Sequence, residues 1–186
     1  MQSASEERSI RVDDRADRSL NEGYEYVEKL ARSAEGCTLL DYLSSHYAHS
    51  SRQEWSERIA GGRVLLDGRV VPACTPLSSG QTLLWCRPPW EEPPAPLSFE
   101  IIYEDGDLLA VEKPAGLPCI PAGGYLQNTL LTLVRRHDAR AVPVHRLGRW
   151  TSGIVLFALT AAARSTLAKL WRSEQVTKRY RALASG

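Results

Sequence analysis

The chain has 186 residues, 43% of them hydrophobic, and a formal net charge of +1; that is enough apolar material to bury a core in one ordinary domain or two small ones, and it excludes disorder over most of the length. No run approaches the ~18 consecutive apolar residues of a membrane span. The N-terminal stretch MQSASEERSIRVDDRADRSL has no apolar segment for secretion and is too acidic for a transit peptide, so the expectation is a soluble intracellular protein with no membrane partner, cytoplasmic by default and with an organelle still open.

The near-neutral total hides an uneven distribution. Residues 1–35 hold nine acidic and six basic side chains, residues 36–96 six and five, whereas from Lys113 to Gly186 twelve Lys or Arg face only Asp138 and Glu174. Such a surplus suits a phosphate backbone, although arginines on solvated faces would produce the same count. Cys37, Cys74, Cys86 and Cys119 are spaced 37, 12 and 33 residues apart, with no CxxC pair and no histidine cluster. Neither a structural zinc site nor a disulfide framework follows from that spacing.

In chain order, residues 1–20 are polar and aperiodic and read as a mobile tail, followed by a short helix over 24–33. From Gly36, TLLDYLSSHY places Leu39, Leu40, Leu43 and Tyr47 on one helical face. A second helix begins at SRQE, where Ser51 and Glu54 fit a capping box; Trp55 and Ile59 form its apolar stripe and Gly61-Gly62 its stop. RVLLDGRVV then predicts a hairpin about Asp67-Gly68, and Leu77–Trp85 a turn at Ser79-Gly80 leading into the strand TLLWC.

This order over residues 36–87, with IAGGRV closing the second helix, the VLLDGRVV hairpin and the later LSSGQTLLW, resembles the S-four-type RNA-binding domain. The resemblance implies that basic residues of the helical face and hairpin grip structured RNA; the matching positions are Arg52, Arg58, Arg63 and Arg69. Glu54 and Glu57 share that helix and leave the region nearly neutral.

RPPWEEPPAPLS contains five prolines and predicts a stiff, extended linker over 88–98, with Trp90 available to pin it to a surface. A second unit, 99–186, follows. FEIIYEDGDLLAVEKPAG predicts strand, turn at Asp105-Gly106, strand and a breaker at Pro114. NTLLTLVRRH predicts a helix capped by Asn128, IVLFAL a buried strand, AAARSTLAKLWRSE a helix with Leu167, Leu170 and Trp171 inward, and TKRYRALA a closing strand.

Between the third helix and the apolar strand lies VHRLGRWTSG. His145, Arg146, Arg149, Thr151 and Ser152 crowd the mouth of a strand, a cluster able to hold phosphate through guanidinium forks and hydroxyls. The spacing of a nucleotide-binding P-loop is absent, and no carboxylate accompanies the histidine as a nucleophilic triad needs. Taken alone, His145 is better read as a structural hydrogen-bonding residue than as a base.

VHRLGRWTSGIVLFALT, YEDGDLLAVEKPAG upstream and TKRYRALASG downstream together resemble three motifs, in order, of the RluA-type RNA pseudouridine synthases, whose signature is usually H-R-L-D-x-x-T-S-G. The resemblance implies an α+β chain: a small helix-helix-hairpin RNA-binding domain followed by the first half of a mixed, largely antiparallel synthase sheet. It implies RNA, ribosomal or transfer, as partner, no metal or organic cofactor, and isomerisation of uridine in folded RNA with the target base flipped into a pocket. By position, Gly148 stands where the family has its catalytic aspartate, Arg146 and Arg149 flank the site with Thr151, Tyr180 matches the residue that packs on the target base, and Lys113 matches the lysine of the K-P motif, in a structural or RNA-phosphate-contacting role.

Two departures accompany the match. A glycine can neither accept a proton nor form an adduct, and losing such a group slows chemistry by about 10²–10⁴-fold; a plant-type subgroup with H-R-L-G-R-x-T-S-G resembles this chain at the same place. Asp105, Asp107 and Asp138 are the nearby carboxylates in sequence, the first two reading as turn residues. The family's catalytic domain also continues beyond KRYRALASG, which implies a truncated domain with open strand edges and uncovered apolar faces. The readings that remain are a synthase, a catalytically silent RNA-binding protein, or a fragment without function; oligomeric state is not legible.

Overall fold

The computed structural model describes residues 8–11 and 20–184. The elements are β1 (Arg8–Arg11), β2 (Tyr24–Lys29), α1 (Leu39–His46), α2 (Arg52–Ala60), β3 (Val64–Leu66), β4 (Arg69–Val70), β5 (Thr82–Arg87), β6 (Ser98–Glu104), β7 (Leu108–Lys113), α3 (Leu130–His137), β8 (Val142–Pro143), β9 (Gly153–Ala158) and α4 (Ala161–Arg172). They fall into two compact units: Leu20–Trp90, and Glu91–Gly186 with the N-terminal segment. Each unit holds one antiparallel sheet and two α-helices, a mixed α+β chain.

In the first unit the sheet order is β2-β5-β3-β4. Thr38 caps α1, accepting from the Asp41 backbone N–H at 3.2 Å. Ser51 and Glu54 close the capping box of α2 from both sides, satisfying donors that a helix start otherwise leaves open. The helices then bury Leu39, Tyr42, Leu43, Trp55 and Ile59 against Val64, Leu66 and Leu83 of the sheet. At the β3–β4 turn Asp67 (φ 50°) and Gly68 (φ 77°) are both left-handed, the pair of conformations a two-residue hairpin needs. Asp67 also fastens the hairpin to β5, accepting from Thr82 N at 2.8 Å and Gln81 Nε2 at 3.0 Å.

Residues 24–29 are not the expected helix. They form β2, in antiparallel register with β5 from Tyr24↔Arg87 to Lys29↔Thr82. YEYVEK carries two Tyr and a Val, which favour a pleated surface, and the open edge of β5 supplies the partner. Glu28 then accepts the hydroxyls of Tyr42 (2.8 Å) and Tyr47 (2.5 Å); burial first, and the Glu28 bond second, push Tyr42 up to about 12 and raise Tyr47 as well.

In the second unit the order is β1-β6-β7-β9-β8, antiparallel throughout. β1 comes from the segment read as tail and pairs with β6; the rest of that tail lies outside the described residues. α3 buries Leu130, Leu133 and Val134 against Phe99, Leu109, Val111, Val155 and Phe157. Its cap is Thr129, accepting from Thr132 N at 3.3 Å, rather than Asn128, whose backbone N–H donates to Glu92 at 2.9 Å. The proline-rich stretch is absorbed into the two units at its ends. Trp90 exchanges hydrogen bonds with Asn21 and lies under the Arg87 guanidinium, while Glu92 accepts from Gln127 and Asn128, and Ala95 and Leu97 join the second core.

Three expectations for the C-terminal part are corrected. β9 is covered on one side only: Val155 and Phe157 are buried, but Ile154 is 54% exposed. α4 buries no residue, and Leu167, Leu170 and Trp171 are half-covered. TKRYRALA forms no strand over its described residues, because nothing there supplies a ladder partner. The edge of β9 is not bare, however, since β8 pairs with its last two residues and Val144 N donates to Leu156 O at 2.9 Å. Among the described residues no helix is long and apolar enough to cross a membrane.

Candidate functional site

β7 ends at Lys113 and β9 begins at Gly153, paired with it; the loops leaving this end of the sheet build the site. Lys113 is fully buried. Its ammonium donates to the carbonyls of Pro114 (2.8 Å), Leu117 (2.8 Å) and Arg149 (3.1 Å), which satisfies all three of its protons. Burial lowers its pKa, against a smaller opposing effect of Cys119. Of its two expected roles, structural or RNA-contacting, this geometry is the structural one: Lys113 pins the 114–117 turn to the HRLGRWTSG loop.

The same clamp fixes Arg149. Gly116 N donates to its carbonyl at 2.8 Å, and its Nε donates to Gly116 O at 3.0 Å. The guanidinium lies 4.8 Å from the Tyr125 ring centre and 4.6 Å from that of Trp150, positions that pair cation and ring favourably. Gly116 has φ 90°, and a Cβ there would meet Pro96 and Trp150 at 3.5 Å; the glycine permits both the turn and this close approach. Arg146 and Gly148 are exposed on the loop, and Gly148 O accepts from Thr151 N at 3.1 Å.

Nothing in the backbone demands glycine at 148. A Cβ built there meets only Thr151 Oγ1, at 3.5 Å, an ordinary contact. Asp105, Asp107 and Asp138 lie away from it. Asp105 turns the β6–β7 hairpin, accepting from the Asp107 and Leu108 backbone N–H groups, and Asp107 accepts from Thr160 Oγ1 at 2.5 Å. Both sit at the Leu108 end of β7, about 20 Å from its Lys113 end at the usual rise per residue. Asp138 ends α3, paired with Arg140 at 2.7 Å, just before β8, which pairs with Ala158 at that same far end.

His145 does structural work. Its Nε2 accepts the Leu156 backbone N–H at 3.2 Å, so the ring takes the place of a strand carbonyl and prolongs the β8–β9 ladder. It stacks on Trp171 at 4.4 Å. Burial, then the neighbouring Lys178 charge, hold its pKa below the histidine norm.

Between this loop, the exposed side of β9, α4 and the segment after it opens a cleft of about 700 Å³. Thr151 and Tyr180 reach it, as do Trp150, Trp171, Lys178, Arg179 and Arg181, and no Asp or Glu lines it. Trp150 is 73% and Tyr180 67% exposed. Arg146, Arg149 and Lys113, grouped with Thr151 and Tyr180 by sequence, do not line it. Trp150, Trp171 and the three late cations are additions that the TKRYR run signalled only as charge. In the first unit Arg52 pairs with Asp41 at 2.6 Å, and Arg58 lies over Trp55 and Trp85 while donating to Ser50. Arg63 and Arg69 are exposed, with no ion pair to a described residue.

Among known families, the RNA pseudouridylate synthase model matches residues 107–185. An uncharacterised RNA pseudouridine synthase of Synechocystis sp. is 39% identical over 77% of this chain and 50% of its own length. RNA pseudouridine synthase 5 of Arabidopsis thaliana is 35% identical over 90% of this chain and 54% of its own. The tRNA pseudouridine(31) synthase of Saccharomyces cerevisiae is 33% identical over 81% and 43%. The chain thus spans about half the length of the curated relatives it matches. It is similar to the RNA pseudouridine synthases, and the match to their family model lies in residues 107–185.

Proposed function

We propose that this chain acts on RNA as part of a pseudouridine synthase, in which uridine is isomerised to pseudouridine: the N1–C1′ bond breaks, the uracil turns, a C5–C1′ bond forms and the C5 proton moves to nitrogen. The observation that supports this best is the cleft of the matched region, lined by Thr151, Tyr180 and the cations Lys178, Arg179 and Arg181 without a carboxylate. In that reading the cations hold the phosphates on either side of a flipped nucleotide. Tyr180 packs on the base, and Arg149 acts indirectly by packing on Trp150, which lines the cleft.

Residues 36–87 act as an S-four-type RNA-binding domain in this proposal, joined through 88–98 to the catalytic portion at 99–186. The order α1, α2, β3, β4 supports it. Arg63 and Arg69 are then the arginines offered to RNA, since Arg52 and Arg58 have partners in their own unit.

One observation favours a second reading, RNA binding without turnover. Gly148 brings no acid-base group, and Asp105, Asp107 and Asp138 lie at the other end of the sheet. A single-turnover pseudouridine assay on labelled RNA, comparing the chain with Gly148→Asp and Arg149→Ala, separates the two. Product from the unaltered chain supports the synthase and requires a catalytic group outside those four positions. Product from Gly148→Asp alone supports a binder on a competent scaffold. No product from any chain, with RNA binding intact, leaves binding as the function; loss of binding as well overturns both.

A further inference from the structure

The first unit carries an aromatic row that extends past its own core. Tyr26 stands opposite Trp85 and Tyr24 opposite Arg87 across β2 and β5, and directly opposed residues share one face of a sheet. Farther along that face, at Leu83, the helices cover it. Toward Tyr24 the row emerges into solvent. Trp55 is fully buried and meets Trp85 edge-on at 5.0 Å; Trp85 stacks on Tyr26 at 4.8 Å and 16°; Tyr26 meets Tyr24 edge to face at 4.7 Å and 67°. Tyr26 and Tyr24 are 41% and 47% exposed.

Cations border the rings. The Arg58 guanidinium lies 5.0 Å from the Trp85 ring centre, and Arg87 lies 3.5 Å from that of Trp90. The acids nearby have other work: Glu28 receives the Tyr42 and Tyr47 hydroxyls, Glu54 closes the capping box, and strand alternation turns Glu25 to the opposite face. Half-exposed aromatic rings beside one another match an unpaired nucleobase. An A-form duplex keeps its bases stacked and offers no such ring face.

We infer that Tyr24 and Tyr26, backed by Trp85, form a stacking platform for unpaired bases of RNA. This rests on the reading above that the chain binds RNA, and it adds a recognition surface in a different unit from the proposed cleft.

The test is binding of the full chain to a labelled single-stranded oligouridine, and to the same strand paired with oligoadenosine. Tyr24 touches only Tyr26 among the aromatic rings, so Tyr24→Leu is expected to leave the melting temperature unchanged while weakening single-strand binding about fivefold. Tyr24→Phe keeps the ring and is expected to stay within about twofold of the unaltered chain, and duplex binding should not move. A folded Tyr24→Leu chain with unaltered single-strand affinity, or with equal losses on both probes, overturns the platform, as does failure of Tyr24→Phe to retain binding. An Arg179→Gln/Arg181→Gln chain separates the two ideas: loss of affinity there with none in the tyrosine variants overturns the platform and leaves the RNA reading standing. An unaltered chain that binds neither probe overturns both.

Discussion

Two tryptophans mark the difference between the two units. Trp55 and Trp171 each lie on a helix next to one charged residue, in QEWSER and AKLWRS. Trp55 is fully buried among α1, α2 and the sheet, whereas Trp171 is half-covered on a helix that buries nothing, with His145 on one face and Lys178 near it. The first unit closes its core with its own elements. The second closes a core under α3 but leaves the α4 side of β9 open, and the cationic cleft occupies that open side. An apolar pattern therefore marks a surface that can be covered; it does not say that the chain covers it.

The widest separation comes from truncating the two tryptophans. Trp55→Ala should cost about 3–5 kcal/mol, as expected for a buried aromatic, and Trp171→Ala only about 1 kcal/mol for its stacking and cation contacts; thermal unfolding of the two variants measures the gap. Equal losses would mean that α4 is packed as tightly as α2. Next in size, Lys113→Met should destabilise the second unit by about 3 kcal/mol, because one buried and two part-buried carbonyls lose their donor at once. Chemical denaturation followed by the near-ultraviolet signal reads this directly, and a neutral result would return Lys113 to the list of RNA contacts.

Smaller effects sharpen the account of the loop. His145 has a folded pKa below its ordinary 6.5, so the unfolded chain takes up the proton first. The stability this residue contributes is full above pH 6.5 and declines as pH falls toward the folded value. His145→Phe keeps a ring on Trp171 but titrates nothing, and its melting temperature should fall less than that of the unaltered chain between pH 7.5 and 5.5. The smallest change is Gly148→Asp, expected to shift stability by no more than about 0.5 kcal/mol, since the backbone and the space around it accept a side chain. A large loss in thermal unfolding would show that the glycine is structural.

Short-range chemistry was legible from the residues alone. The Ser51–Glu54 box, the Asp67-Gly68 turn and the apolar stripes of α1 and α2 depend on contacts a few residues apart, and so does the Asp105 turn. The likeness to the synthases also needs only the linear order of three motifs. What the linear order left undecided depends on residues distant in sequence. β2 is a strand because the edge of β5 is open to it, and Thr129 caps α3 because the Asn128 backbone is held by Glu92. Lys113 is a buried pin because three carbonyls from two loops converge on it. Asp105, Asp107 and Asp138 lie at the far end of the sheet from Gly148, because the β6–β7 turn and the end of α3 sit opposite the Lys113–Gly153 end. Strand pairing and burial depend on which surfaces meet, and only the tertiary structure decides that.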